Sequence, residues 1–290
     1  MFKGSLVALV TPFKGSNVDE AALRGLVNWQ IEQGTHGIVP VGTTGESPTL
    51  SETEHTRVVE IVVEEAAGRV PIIAGAGSNN TAEAIHYTKH AARVGADAVL
   101  HVAGYYNRPN QEGLYQHFKA LSEQSELPII VYNIPPRAIV DISPDTMARM
   151  AQLPRIIGVK DATADLSRPA RERLRIKSDF CYLSGEDGTA VAYNAAGGNG
   201  CISVSANVAP ALCAQLQEAC LRGDYGSAME IQQRLMPLHE ALFIEPSPAG
   251  AKYAASLLGH CDAFCRLPVV ELTDETKQII RTAMTDLGLL

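Results

Sequence analysis

Arg155-Ile156-Ile157-Gly158-Val159-Lys160-Asp161-Ala162-Thr163 is a short apolar run that ends on a lysine. Pro154 and Asp161 bound it, and three branched residues within it read as a strand covered on both faces, as in a parallel sheet. Lys160 then stands where a buried strand runs out. An ammonium carried into a core must find a counter-charge or give up its proton. In the second case its pKa falls below the usual value of about 10.4. The neutral amine so produced is the nucleophile that forms a Schiff base with a carbonyl compound. The alternative is a strand-end lysine that reaches solvent, and the rest of the chain has to decide between them.

Working outward, apolar runs of strand length alternate with stretches of helical spacing. The runs are Ser5–Val10, Gly37–Val41, Val70–Ala74, Ala98–Val102, Pro128–Tyr132, the lysine run, Phe180–Leu183 and Cys201–Val204. Between them Leu23, Leu26, Val27 and Ile31 share one helix face, Ser51-x-x-Glu54 is a capping box, and Asn80 with Glu83 opens a helix to Val94. Leu114, Phe118 and Leu121 share another face, and Ser143-Pro144 has the cap and first-turn proline of a helix start. A further helix is expected from about Asn207. Eight strand-then-helix units predict a (β/α)8 TIM barrel over residues 1–223. An open doubly wound sheet is disfavoured, because no G-x-G-x-x-G follows the first run. Tyr225–Leu242, Pro248–Leu258 and Asp274–Leu287 read as three more helices, so residues 224–290 are expected to form a C-terminal helical extension.

Composition narrows the function classes. The 290 residues carry a formal charge of −8, and the 24 lysines and arginines are scattered without a run, which argues against nucleic acid or an anionic membrane as partner. No stretch approaches the 18 or so apolar residues of a membrane span, and the N-terminal apolar patch is interrupted at Pro12, so a cytoplasmic location is expected. Six cysteines suit that compartment; His260, Cys261 and Cys265 alone make a weak metal pattern, and no metal site is expected.

In such barrels chemistry sits at the C-terminal ends of the strands. There the sequence places Thr43 and Thr44, Tyr105 and Tyr106, Tyr132 and Lys160: hydroxyls and one amine, with no cluster of metal ligands. An amine forms the imine, and phenols or hydroxyls move protons through carbinolamine and enamine stages. Each has a plainer meaning too. Gly42 and Gly45 mark a turn, Tyr132 suits a core aromatic, and Arg137 suits a surface ion pair as well as a carboxylate fork. Gly197-Gly-Asn-Gly200 precedes the eighth run and is expected to be a turn rather than a phosphate cradle.

Gly42-Thr-Thr-Gly-Glu46, Tyr105-Tyr-Asn-Arg-Pro109, Tyr132-Asn-Ile-Pro135 with Arg137, and Gly158-Val-Lys-Asp-Ala-Thr163 together resemble the motifs of the dihydrodipicolinate synthase family, and the likeness runs over the whole chain. The resemblance implies a Schiff-base aldolase that condenses pyruvate with L-aspartate 4-semialdehyde, the first committed step towards diaminopimelate and lysine. It further implies that Lys160 forms the imine and that Tyr132 moves protons, linked through Thr43 to a Tyr106 supplied by the neighbouring subunit. Thr44 would hold the pyruvate carboxylate and Arg137 that of the semialdehyde, while Gly185 and Ile202 would line the pocket. No cofactor is implied, and a homotetramer built as a dimer of dimers is. Arg137 speaks against the related N-acetylneuraminate and keto-deoxy-sugar-acid lyases, and the joint presence of lysine, tyrosines and threonine against a non-catalytic ligand-binding relative.

Ser47, His55, Asn79, Glu83 and Tyr105 match the family's site for lysine as an inhibitor. Departures from the family pattern are Ala103-Gly104 before Tyr105, Ser247 where asparagine is common, and Pro48 and Glu52 at the inhibitor site.

Overall fold

A computed structural model describes residues 2–290. Eight parallel strands form one sheet: β1 (Gly4–Ala8), β2 (Gly37–Val39), β3 (Ile73–Gly75), β4 (Ala98–Val102), β5 (Ile129–Asn133), β6 (Ile156–Asp161), β7 (Cys181–Ser184) and β8 (Gly200–Ser203). Hydrogen bonding runs in the order β2-β1-β8-β7-β6-β5-β4-β3, and a single parallel bridge, Ile38 to Ile72, joins the two ends. The sheet is therefore a closed barrel, as the eight-unit pattern predicts. β6 includes Asp161, so Lys160 is its penultimate residue rather than its last.

Each strand is buried on both sides because alternate residues face different layers. Leu6, Val39, Ile73, Leu100, Ile130, Leu183 and Ile202 fill the barrel, whereas Val7, Ile38, Val99, Val131, Val159 and Tyr182 meet the helices outside. Helices follow the strands in turn: α1 (Glu20–Glu32), α2 (Glu52–Ala66), α3 (Thr81–Val94), α4 (Gln111–Gln124), α5 (Pro144–Met150), α6 (Arg168–Arg173), α7 (Ala190–Ala195) and α8 (Pro210–Leu221). The predicted capping box is present: Glu54 N–H donates to Ser51 Oγ at 3.3 Å, and Ser51 N–H donates to Glu54 Oε2 at 2.9 Å. Such a cap is worth about 1 kcal/mol. Asn80 and Ser143 cap α3 and α5. The helix expected from Asn207 begins at Pro210, because Ser205–Asn207 is a 3-10 turn whose Asn207 ties Val10 N–H and Ala8 C=O to the end of β8. Gly197–Asn199 forms the turn into β8.

Beyond the barrel come α9 (Tyr225–Ala241), α10 (Ala249–Leu257) and α11 (Asp274–Asp286). α9 lies along α8, and α11 packs on both α9 and α10. Among the described residues no helix is long and apolar enough to cross a membrane.

Candidate active site

The strand register brings the polar side chains together. Tyr132 pairs with Lys160 across β5 and β6, and Lys160 pairs with Leu183 across β6 and β7. Both side chains point inward, at the level where barrel packing gives way to a cavity of about 210 Å³. Lys160 and Tyr132 are each 6% exposed, and the lysine Nζ lies 4.2 Å from the centre of the tyrosine ring. An ammonium over an aromatic face is attracted to it, so the ring also fixes where the amine points. The strand-end lysine is thus buried beside a phenol and does not reach bulk solvent.

The remaining walls come from loops after other strands. Gly42, Thr43 and Thr44 follow β2, Arg137 sits in a short helical turn after β5, and Gly185 follows β7. At Gly185 an added Cβ would lie 3.0 Å from both Lys160 Cε and Ala162 Cβ, so any side chain there would press on the lysine and make it shift. Arg137 is exposed at the mouth and, among the described residues, has no carboxylate within ion-pair distance. Its fork is free for an incoming acid.

Two expected residues lie elsewhere. Ile202 pairs with Leu6 in the apolar layer of the barrel and is not on the cavity wall, because its inward side chain meets strands rather than space. Tyr106 is 90% exposed, held at φ +65° in the loop after β4, and does not line the cavity of its own chain. Conversely Glu186, Phe243 and Ser247 do line it and were not singled out as site residues. Burial, reinforced by Asp187, raises the Glu186 carboxyl above the ordinary range, while Lys160 works in the opposite sense. Glu186 had a sequence signal, being the acidic residue just past Gly185 at a strand end. Phe243 and Ser247 had none of that kind, since they belong to the segment between α9 and α10.

A second cavity of about 220 Å³ adjoins the first and shares Thr43, Ile134 and Arg137 with it. Ser47 and Tyr105 line it. Asn79 Nδ2 donates to Tyr105 C=O at 3.3 Å, and Glu83 accepts from Ser78 Oγ at 2.5 Å. His55 is buried and stacked on Tyr87 with ring centres 3.9 Å apart; burial pushes its pKa down to about 4. Neither His55, Asn79 nor Glu83 is on the wall of this cavity.

Comparison with known proteins agrees over the full length. The chain is 62% identical over 290 residues to 4-hydroxy-tetrahydrodipicolinate synthase of Parvibaculum lavamentivorans, covering all of both chains. Among solved structures it superposes with a TM-score of 0.97 and 44% identity on the dihydrodipicolinate synthase of Acinetobacter baumannii complexed with pyruvate, again over all of both chains. The enzyme of Cyanidioschyzon merolae with lysine bound gives a TM-score of 0.96 and 38% identity, covering 100% of this chain and 99% of that one. With the model of the dihydrodipicolinate synthetase family matching residues 1–287, the chain belongs to that family.

Proposed function

We propose that the chain carries out the 4-hydroxy-tetrahydrodipicolinate synthase reaction, the Schiff-base condensation of pyruvate with L-aspartate 4-semialdehyde that commits carbon to diaminopimelate and lysine. The observation that carries this reading is a buried amine facing a cavity: Lys160 Nζ, set 4.2 Å from the Tyr132 ring in a small polar cavity with Arg137 at its mouth. As a neutral amine Lys160 adds to the keto carbon of pyruvate, and loss of water from the carbinolamine gives the imine. Removal of a methyl proton then yields an enamine, whose carbon bonds to the aldehyde carbon of the acceptor. Tyr132 takes and returns these protons, a reading supported by its burial beside the lysine. Thr44 and the neighbouring amides hold the pyruvate carboxylate, Arg137 holds the acceptor's, and the smallness of Gly185 keeps the amine's path open.

Purified protein should consume pyruvate when the semialdehyde is supplied, and an Arg137→Ala variant should lose about 10²-fold or more in kcat/KM for that acceptor. Absence of consumption by a protein that still traps pyruvate with borohydride would transfer the lysine chemistry to sugar-aldehyde acceptors.

The finer assignments belong to the same reading. A homotetramer, as a dimer of dimers, supplies Tyr106 to the neighbouring cavity, and its 90% exposure in one chain supports this. Lysine as an inhibitor finds support in the second cavity, which touches Thr43 and Arg137 directly. Six cysteines carried as free thiols favour the cytoplasm.

A further inference from the structure

The Thr43–Thr44 loop is held in a conformation it would not choose. Val41 at φ +49° and Glu46 at φ +58° flank it, both in the left-handed region that side chains with a Cβ disfavour. Such strain persists only where the surroundings over-determine it. Glu46 N–H closes the turn on Thr43 C=O at 3.1 Å, and Thr11 Oγ grips Gly45 C=O at 2.7 Å. The remaining constraint comes from 206 residues away. Glu46 Oε1 accepts from Lys252 Nζ at 2.7 Å, on helix α10, and Glu46 Oε2 accepts from Arg266 N–H at 2.9 Å.

This pair is built into the interior. The Lys252 side chain is 0% exposed and that of Glu46 3%, and the Lys252 Nζ lies 4.1 Å from the centre of the Phe13 ring. A buried ion pair is a poor device for stability, since apolar residues of similar volume often serve as well; what it does supply is direction. Here it fixes the carboxylate two residues beyond Thr44. We infer that Lys252 is a positioning residue for the reaction: through Glu46 it holds the Thr43–Thr44 loop in the shape that receives the small keto acid's carboxylate. The C-terminal helices thereby serve the chemistry, and Phe243 and Ser247, just before α10, reach the same cavity.

The inference rests on the proposed reaction, and its test separates the two. Wild type, Lys252→Met and the double variant Glu46→Gln/Lys252→Met are compared for borohydride trapping of pyruvate, for KM of each substrate and for melting temperature. Lys252→Met leaves a buried carboxylate unpaired and should melt lower. The double variant carries no buried charge at this pair and should melt near wild type, yet show a pyruvate KM raised about ten-fold, with the semialdehyde KM within about two-fold because Arg137 stands on another loop. A double variant with wild-type pyruvate KM, or with both KM values raised alike, would overturn the inference. So would a double variant that fails to fold, since the pair would then serve the fold itself. A wild-type protein that fails to trap pyruvate would bring down the reaction, and this inference with it.

Discussion

Tyr132 and Tyr106 carry the same phenol and are proposed for the same proton path, yet the fold treats them in opposite ways. Tyr132 is inside β5, paired on one side with Val102 and on the other with Lys160, and 6% exposed. Tyr106 is 90% exposed in a loop where Arg108 also has positive φ. A strand residue inherits its position from two ladders, whereas a loop residue has only its own turn and whatever covers it. In the proposed reaction the amine and its first proton carrier are therefore complete within one chain, while the outer end of the path is proposed to depend on a second.

Variants should separate these two regions by size of effect. Lys160→Ala should abolish borohydride trapping of pyruvate and reduce turnover by at least about 10⁴-fold, with the barrel still folded by circular dichroism; normal labelling would remove the imine. Tyr132→Phe should keep trapping but lose about 10²- to 10³-fold in kcat, because the ring still packs while its hydroxyl is gone. Full activity there would undo the contrast at its buried end.

Tyr106→Phe should cost about ten-fold to a hundred-fold in kcat. Its sharper test is mixing: subunits of Tyr106→Phe and Lys160→Ala, dissociated and reassembled together, should gain activity beyond that of either alone, because the Lys160→Ala subunit can lend its intact Tyr106 to the Tyr106→Phe subunit's cavity. No recovery in a verified hybrid would place Tyr106 outside the chemistry.

The smallest effect concerns acid. His55 has a folded pKa near 4, below the ordinary 6.5, because burial penalises its charged form. Its neutral form is the one the fold prefers, so the stability it contributes is present above pH 6.5 and is lost as pH falls towards 4. His101, wholly buried in β4, is pushed down to about 3, so acid charges the His55 side first. His55→Gln should lose fewer degrees of melting temperature than wild type between pH 7 and pH 4.5; equal losses would remove this role.

Legibility in the sequence followed the range of the forces involved. Strands buried on both faces announce themselves as apolar runs, and the eight were found with ends off by a few residues at most, because the ladder rather than the side chains sets where pairing stops. Capping at Ser51, Asn80 and Ser143 is local chemistry and was readable as such. Thr43, Thr44, Tyr132, Lys160 and Gly185 converge on one cavity because parallel strands end at one rim. Ile202 shows the limit: inward direction is visible in the alternation, but depth along the barrel is not. Glu46 and Lys252 show another, since nothing local says that a loop carboxylate and a helical ammonium so far apart in the chain will meet.

The barrel's closure carries one more consequence. β5 and β6 share five paired residues, whereas the β2 and β3 segments meet in one bridge, Ile38 to Ile72, and a further hydrogen bond from Gly75 N–H to Pro40 C=O at 3.0 Å. A hoop yields at its thinnest weld, so thermal opening should begin beside β2 and leave the lysine staves shut. The threonine loop springs from that same strand, and the buried charge it grips on α10 ties the loose side of the hoop to the C-terminal helices.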